Sequence, residues 1–519
     1  MSNEEKVSNH HVVDEAPLPS PSPDHPASSS DGKIEVDDAW KYLDAHREAS
    51  AQDVEPMEML PIRRKVDYRI VPLAFILYVM QYTDKLVLNY AGVMTMREDL
   101  NLTGNDFSNL ATSTYVAVAI WEFPNIYFLQ RVPAAKWLAA NAIGWGIATA
   151  CGAAATNYQT MLVTRIFLGI FEATVNPSLM LIAGRWYTKP EQAPRLSFWL
   201  MGLGIGQILG GAVSYGFQSL APGAVKLAGW RIMFLVLGCI TIFFGILTWF
   251  IMPDNPMAVK WLTPKEKVAL LRHISVNQTG VENKRVRVKE IWEALRDPPV
   301  WMIWISIFLL ASTAGITVAY SATLIRNFGY TPKQATLLNM PAGLVSMTVQ
   351  AVPAFFIRRG IGHRWAWAIA TLIPTMLGSA LMSFLPNSNK AGLLAGIYLI
   401  NCLPGPLTVF WSWAPANIAG ATKRAFVTAI LAAMSAAGSS TGPQTFQAKD
   451  APDYRPAKIT ALATQAASGC TIIALFFWYV YQNKHRRKVT DAETREAFMN
   501  PEVWERLTDR ENKAFRYTY

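Results

Sequence analysis

The sequence predicts an all-α membrane protein with about twelve transmembrane helices arranged as two six-helix halves. Three observations predict it. Of 519 residues, 51% are hydrophobic and only 16% are charged, against roughly 25% charged in ordinary soluble domains. The apolar residues fall in long unbroken blocks, not in the narrow stripe of a water-soluble helix. A polar stretch near 252–298 separates those blocks into two sets of six.

A bilayer-crossing helix needs about 20 mostly apolar residues. On that length the first half supplies spans at 68–91, 108–129, 137–156, 160–183, 196–217 and 231–251. The second half supplies 299–325, 335–357, 365–385, 391–413, 424–444 and 459–482. The domain plan is therefore a polar tail over 1–67, a six-helix unit over 68–251, a linker over 252–298, a second unit over 299–482 and a tail over 483–519. The first tail, rich in Ser, Pro and Asp and lacking an apolar stretch, reads as disordered and not as a signal peptide. In the linker, Trp261-Leu262-Thr263-Pro264-Lys265-Glu266 reads as a helix start, with Thr263 as cap and Glu266 completing a capping box. Asn101-Leu102-Thr103 has the form of a glycosylation sequon, but lies so close to the membrane that a turn role is expected.

The net charge of +10 raises nucleic acid as a partner, and the placement of the charges rejects it. Basic residues flank the hydrophobic blocks: Arg63, Arg64, Lys65 and Arg69 before the first, Lys484, Arg486, Arg487 and Lys488 after the last, and a dense set in the linker. All three clusters share one side only when the span number is even. The positive-inside rule then puts both tails in the cytosol, probed against Lys449, Arg455 and Lys458, which fall on the other side beside Asp450 and Asp453. The partners expected are a lipid bilayer, a small-molecule organic anion and protons. No cofactor or metal is expected: Cys151, Cys239, Cys402 and Cys470 are scattered singly in apolar segments, and no phosphate-binding loop or nucleophile–base pair is present. An enzyme is not indicated.

Function should sit on the ionisable residues inside the spans, because each costs roughly 2.5–3.5 kcal/mol to insert. In the first span Tyr78, Lys85 and Asn89 share one face at roughly 100° per residue, with Gln81 beside them and Asp84 on the flank. In the fourth, Arg165, Glu172 and Asn176 form a second stripe. Glu122 lies in the second, next to Pro124 and Asn125. A buried Lys or Arg attracts a carboxylate, and Arg binds one with two parallel hydrogen bonds. Lys85, Arg165, Tyr78, Gln81, Asn89 and Asn176 are thus the candidate substrate contacts, and Glu172, Glu122 and Asp84 the candidate proton carriers. The competing reading makes the charges internal ion pairs, Asp84 or Glu122 with Lys85, or Arg165 with Glu172. Both readings hold if a pair breaks and re-forms during transport. Tyr320, Asn339, Gln350, Asn401, Trp411 and Trp413 are weaker candidates for the opposite wall. Gly202, Gly204, Gly206, Gly210 and Gly211 lack the strand of a nucleotide fingerprint and read as a packing surface, with 435–442 as their counterpart.

Several stretches together resemble the fungal anion:cation symporter family of the major facilitator superfamily, which includes permeases for allantoate, ureidosuccinate, nicotinate and pantothenate. They are Asp84-Lys85 with Asn89-Tyr90-Ala91, Glu98-Asp99-Leu100, and Arg165-Ile166-Phe167-Leu168-Gly169-Ile170-Phe171-Glu172-Ala173 followed by Pro177 and Trp186-Tyr187. Gly229-Trp230-Arg231, Pro253-Asp254-Asn255-Pro256, Asn417-Ile418-Ala419-Gly420-Ala421-Thr422-Lys423-Arg424 and Ala451-Pro452-Asp453-Tyr454 extend the likeness over about 65–485. The resemblance implies the major facilitator fold, proton symport of an organic anion and residence in the plasma membrane. Two departures stand out: Gln130-Arg131-Val132-Pro133-Ala134-Ala135-Lys136 replaces the usual charged signature between spans two and three, and Lys85 stands where many relatives have Arg. Two alternatives remain beside uptake, an exporter of a secondary metabolite and a membrane nutrient sensor that does not transport.

Overall fold

Twelve helices of membrane-crossing length follow one another along the chain in a computed structural model that describes residues 59–219, 226–275, 287–486, 508–512 and 515–519. They are α1 (Met59–Val93), α2 (Asp106–Arg131), α3 (Ala134–Gly152), α4 (Tyr158–Trp186), α5 (Pro194–Gln218) and α6 (Gly229–Ile251), then α7 (Pro298–Asn327), α8 (Pro332–Ile357), α9 (Arg364–Phe384), α10 (Lys390–Ala416), α11 (Thr422–Gln444) and α12 (Arg455–Arg486). Ten of them are strongly apolar as well as long. The other two, α2 with 26 residues and α3 with 19, are diluted by Asn, Ser, Thr and Gly but occupy the expected second and third positions.

The packing map repeats with a shift of six. Helix α1 packs on α5 as α7 does on α11; α3 packs on α6 as α9 does on α12; α3 lies on α4 as α9 lies on α10. Between the halves, α2 meets α11 and α5 meets α8, contacts that the same shift exchanges, while α1 meets its counterpart α7. Two related bundles face each other across this seam, as expected for a transporter built from repeated halves.

Small residues let these helices approach closely. A side chain on Gly438 or Gly442 of α11 would collide with the Phe308 or Ser312 carbonyl of α7, and one on Gly204 of α5 would collide with the Gly343 carbonyl of α8 across the seam. The glycine run is a packing surface, as its setting in an apolar span implied. Asn101 adopts φ +51° in the tight turn between α1 and α2, the turn role expected of the sequon.

Three boundaries differ from the sequence reading. Helix α1 begins at Met59, so 59–67 is helix and only 1–58 of the expected tail lies outside the described residues. The extra turns are held by charge: Arg63 pairs with Glu191 at 2.5 Å, Lys65 with Glu266 at 2.6 Å, and Asp67 with Arg195 at 2.6 Å. The linker contains helices Pro264–Ser275 and Val288–Leu295. The Thr263 amide donates to Glu266 at 2.9 Å and the Glu266 amide to the Thr263 hydroxyl at 3.3 Å, the reciprocal box foreseen. Residues 508–512 and 515–519, expected as part of a free tail, lie against the second half.

The two ends of the molecule differ. Hydrogen bonds across the seam gather at the end remote from the linker: Asn105 donates to Gln447 at 2.7 Å, Ser108 and the Tyr320 hydroxyl lie 2.5 Å apart, and Gln444 donates to Thr112 at 2.9 Å. Tyr320 stacks on Phe446 with centroids 4.1 Å apart. This far end is sealed by an apolar cluster drawn from both halves, whereas the linker end has one separate cluster per half.

Candidate binding site

Helix α4 is broken at Ala173–Thr174, between segments Tyr158–Glu172 and Val175–Trp186. A break inside a span frees carbonyls that neighbours must satisfy. Gln81 of α1 donates to the Glu172 carbonyl at 3.4 Å, and Asn125 of α2 to the Ala173 carbonyl at 3.5 Å. Trp137 and Thr174 hold the Asn125 oxygen in turn, at 2.7 and 3.0 Å. The break thus sets the position of Glu172, and Gln81 serves it as a brace.

The Glu172 side chain is fully buried and meets Lys85 of α1 at 3.5 Å. Among the described residues neither carboxylate oxygen has a hydrogen-bond partner, so this single loose ion pair is its main counterpart. Arg165, two turns earlier on α4, is 3% exposed. Its guanidinium lies over the Phe234 ring at 4.9 Å, a favourable cation–π placement. Its Nη2 has no hydrogen-bond partner among the described residues. Asp84 and Glu172 both lie within electrostatic reach of it.

Lys85 and Arg165 line one pocket with Leu88, Ala111, Thr114, Tyr115, Val318 and Ala319. Its walls therefore come from α1, α2 and α4 of the first half and α7 of the second. Just beyond it toward the far end lies a polar roof: Asn89 donates to Ser321 at 2.8 Å, Asn339 donates to Ser321 at 3.1 Å and to Tyr90 at 3.2 Å, and Gln207 reaches Asn339 and Asn401 at 3.4 and 3.5 Å. Asn89 is thus a bridge between the halves, with its own oxygen unpartnered.

Asp84 points away from the pocket and accepts hydrogen bonds from Trp145 of α3 and, at 3.4 Å, from Thr241 of α6. Glu122 is half-buried on α2 with its carboxyl in electrostatic reach of Lys85. Tyr78 is half-buried near Glu172 and packs against Gly202. Asn176, beyond the break, is exposed and does not join Arg165 and Glu172 in the buried stripe. Of the weaker candidates, Asn339 and Asn401 join the roof, Tyr320 joins the far-end seal, Gln350 bonds its own helix at the Ser346 carbonyl, and Trp413 donates to the Thr518 carbonyl at the linker end.

Sequence reasoning missed Tyr115, Trp145, Thr241, Gln207 and Ser321. One signal was present: Ser108, Tyr115 and Glu122 recur every seven residues and mark a polar face on α2. Trp145 carries no such signal. No group of three His, Cys, Asp or Glu side chains among the described residues is placed to hold a metal ion.

The sequence profile of the Major Facilitator Superfamily matches residues 74–443. A thiamine pathway transporter of Saccharomyces cerevisiae is 34% identical over 461 residues, covering 88% of this chain and 86% of its own. The allantoate permease of the same yeast is 33% identical over 511 residues, covering 94% and 92%. Among solved structures, an inward-facing bacterial homolog of the human lysosomal transporter Spinster superposes with a TM-score of 0.59 at 15% identity, over 79% of this chain and 96% of that one. The inward open xylose transporter of E. coli gives 0.59 at 16%, over 77% and 95%. At such identities the structural likeness concerns the fold alone.

Proposed function

The chain belongs to the major facilitator superfamily, and we propose that it is a secondary transporter that moves a small carboxylate-bearing nutrient together with protons. The observation that carries this reading is the buried Arg165, whose Nη2 lacks a partner beside Lys85 on a pocket between the halves. An unsatisfied charged donor in a low-dielectric site is costly, and a carboxylate satisfies it with paired, charge-assisted hydrogen bonds. Of the compounds that the relatives' names point to, allantoate fits this chemistry directly, because it brings a carboxylate to two cations.

The mechanism follows from the ion pair. An incoming carboxylate competes with Glu172 for Lys85. Once displaced, Glu172 is a buried carboxylate without a counter-ion, which favours its taking up a proton. When the substrate leaves, Lys85 recovers Glu172 and the proton departs. Glu122, near Lys85, and Asp84, on the Trp145 side, are the neighbouring stations. The flanking basic clusters support a cytosolic linker end; on this reading the far-end seal faces outward and the pocket inward, in the plasma membrane.

The test is uptake of labelled organic anions into a transporter-deficient yeast, with and without a proton gradient. Gradient-driven accumulation of one anion should be lost in Arg165→Ala, since breaking such a buried contact costs about 2–5 kcal/mol. Glu172→Gln should still exchange substrate across the membrane but no longer concentrate it. Faster loss of a preloaded metabolite, without uptake, would instead make the protein an exporter. Ligand binding with neither flux would make it a sensor.

A further inference from the structure

We propose that residues 508–512 and 515–519 form a brace that makes the second half move as one body, and that this segment repeats the role of helix Pro264–Ser275 in the first half. The proposal rests on the transport reading above, with one half rocking against the other about the pocket between them.

The anchor is Lys423 at the linker end of α11, which is fully buried. Its ammonium contacts three carboxylates: Glu293 of the linker helix at 2.9 Å, Asp297 at the start of α7 at 2.9 Å, and Asp509 of the segment at 2.7 Å. A buried lysine needs such compensation, because an unpaired charge in the interior costs several kcal/mol. The next residue, Arg510, caps the same site by pairing with Asp297 at 2.9 Å. The Tyr517 hydroxyl then donates to Asp509 at 2.9 Å and its ring stacks on Tyr479 of α12 at 4.8 Å, tying the two parts of the segment together.

The segment continues across the remaining helices. The Thr518 amide donates to Asn417 at 2.7 Å, and its carbonyl accepts from Trp413 of α10 at 2.9 Å. The Arg364 amide, at the start of α9, donates to the Tyr519 carbonyl at 2.7 Å. The linker ends of α7, α9, α10, α11 and α12 are therefore tied to one segment. Tyr517 belongs to the apolar cluster of the second half, with Phe515 and Tyr519 packed against it.

The first half has a matching device in the matching place. After α6, helix Pro264–Ser275 turns back on α1 and on the turn that leads into α5: Glu266 pairs with Lys65 at 2.6 Å, and His273 and Arg63 both meet Glu191, at 3.0 and 2.5 Å. Leu270 of that helix sits in the apolar cluster of the first half. The chain that follows each sixth helix thus folds back on its own bundle, by ion pairs and apolar packing together, with the charge fully buried only at Lys423.

The brace is tested in the full chain, with the four native cysteines replaced, by two changes. Asp509→Asn with Arg510→Gln frees the segment while leaving Lys423 two carboxylates; Asn417→Cys with Thr518→Cys allows it to be locked by a disulfide. Amide hydrogen exchange on purified protein and uptake of labelled allantoate per transporter are the readouts. The expected result is faster exchange at the linker ends of α7 and α9–α12 with α1–α6 unchanged, a several-fold fall in maximal uptake at unchanged KM, and recovery of both when the lock is added. Exchange that is unaltered, or that rises equally in both halves, overturns the proposal. Uptake that increases on release, or that the lock abolishes, overturns it as well, because the segment would then have to leave during the cycle. Should the unaltered chain take up no allantoate, the exchange pattern alone decides, and the transport reading falls separately.

Discussion

Trp145 and Thr241 hold Asp84 from two helices of the first half, and that arrangement gives Asp84 a role different from the other buried acids. Its side chain is 1% exposed and serves as the acceptor that satisfies a buried indole N–H. Asp84→Asn keeps an oxygen for Trp145 and should leave the thermal midpoint of the purified protein nearly unchanged. Asp84→Leu leaves the indole unsatisfied and should cost about 1–3 kcal/mol, read as a lower midpoint. Equal effects of the two variants would show that the contact is incidental. The expense of burying charge made Asp84, Lys85, Glu122, Arg165 and Glu172 legible in the sequence. Their pairing was not: Asp84 or Glu122 was the expected partner of Lys85, and Arg165 that of Glu172. The observed pair, Lys85 with Glu172, crosses from α1 to α4 and depends on which helices adjoin. Trp145 stayed hidden because an indole in a lipid-spanning segment is unremarkable until its N–H is seen to need a partner.

At the scale of elements, glycine spacing and capping boxes did the predictive work. Gly438 and Gly442 set the distance between α7 and α11; Gly438→Val should force these helices apart and destabilise the protein by about 1–3 kcal/mol, checked by the thermal midpoint in detergent. The Thr263–Glu266 box was readable from four residues. That its glutamate also holds Lys65 of α1 was not, because the contact spans 201 positions. Burial pushes the Glu266 carboxyl up, but its bonds to Lys65 and the Thr263 amide outweigh this and hold it below the ordinary carboxylate value. A depressed carboxylate contributes stability that is present above its unfolded pKa, about 4.3, and lost as pH falls through the folded one. Glu266→Gln should therefore lower the midpoint at pH 7, with the gap to the unaltered protein closing as the pH drops below about 4. A gap independent of pH would assign the helix's hold to packing. The break in α4 was signalled by Pro177, which lacks the N–H that would bond the Ala173 carbonyl four residues earlier; the stripe drawn through Asn176 passed over that signal.

Over the whole molecule, the repeat of packing under a shift of six is what turns a local ion pair into a device for transport. The two-set layout was visible in the hydropathy blocks and the basic flanks. Which end is closed was not, because that depends on pairs such as Asn105 with Gln447, whose side chains meet at 2.7 Å from positions 342 residues apart. These contacts, with Ser108–Tyr320 and Gln444–Thr112, must separate whenever the pocket opens at the far end. A chain lacking native cysteines and carrying Asn105→Cys with Gln447→Cys, bridged by a short bifunctional reagent that forms disulfides with both thiols, should lose all net transport. Releasing the bridge with a reductant should restore flux. Ligand added from the linker side should still bind with the bridge intact, since Asn105 and Gln447 lie at the end remote from the linker and outside the pocket lining. Undiminished transport in the bridged protein would mean that the halves do not part at the far end, and the rocking mechanism would have to be given up.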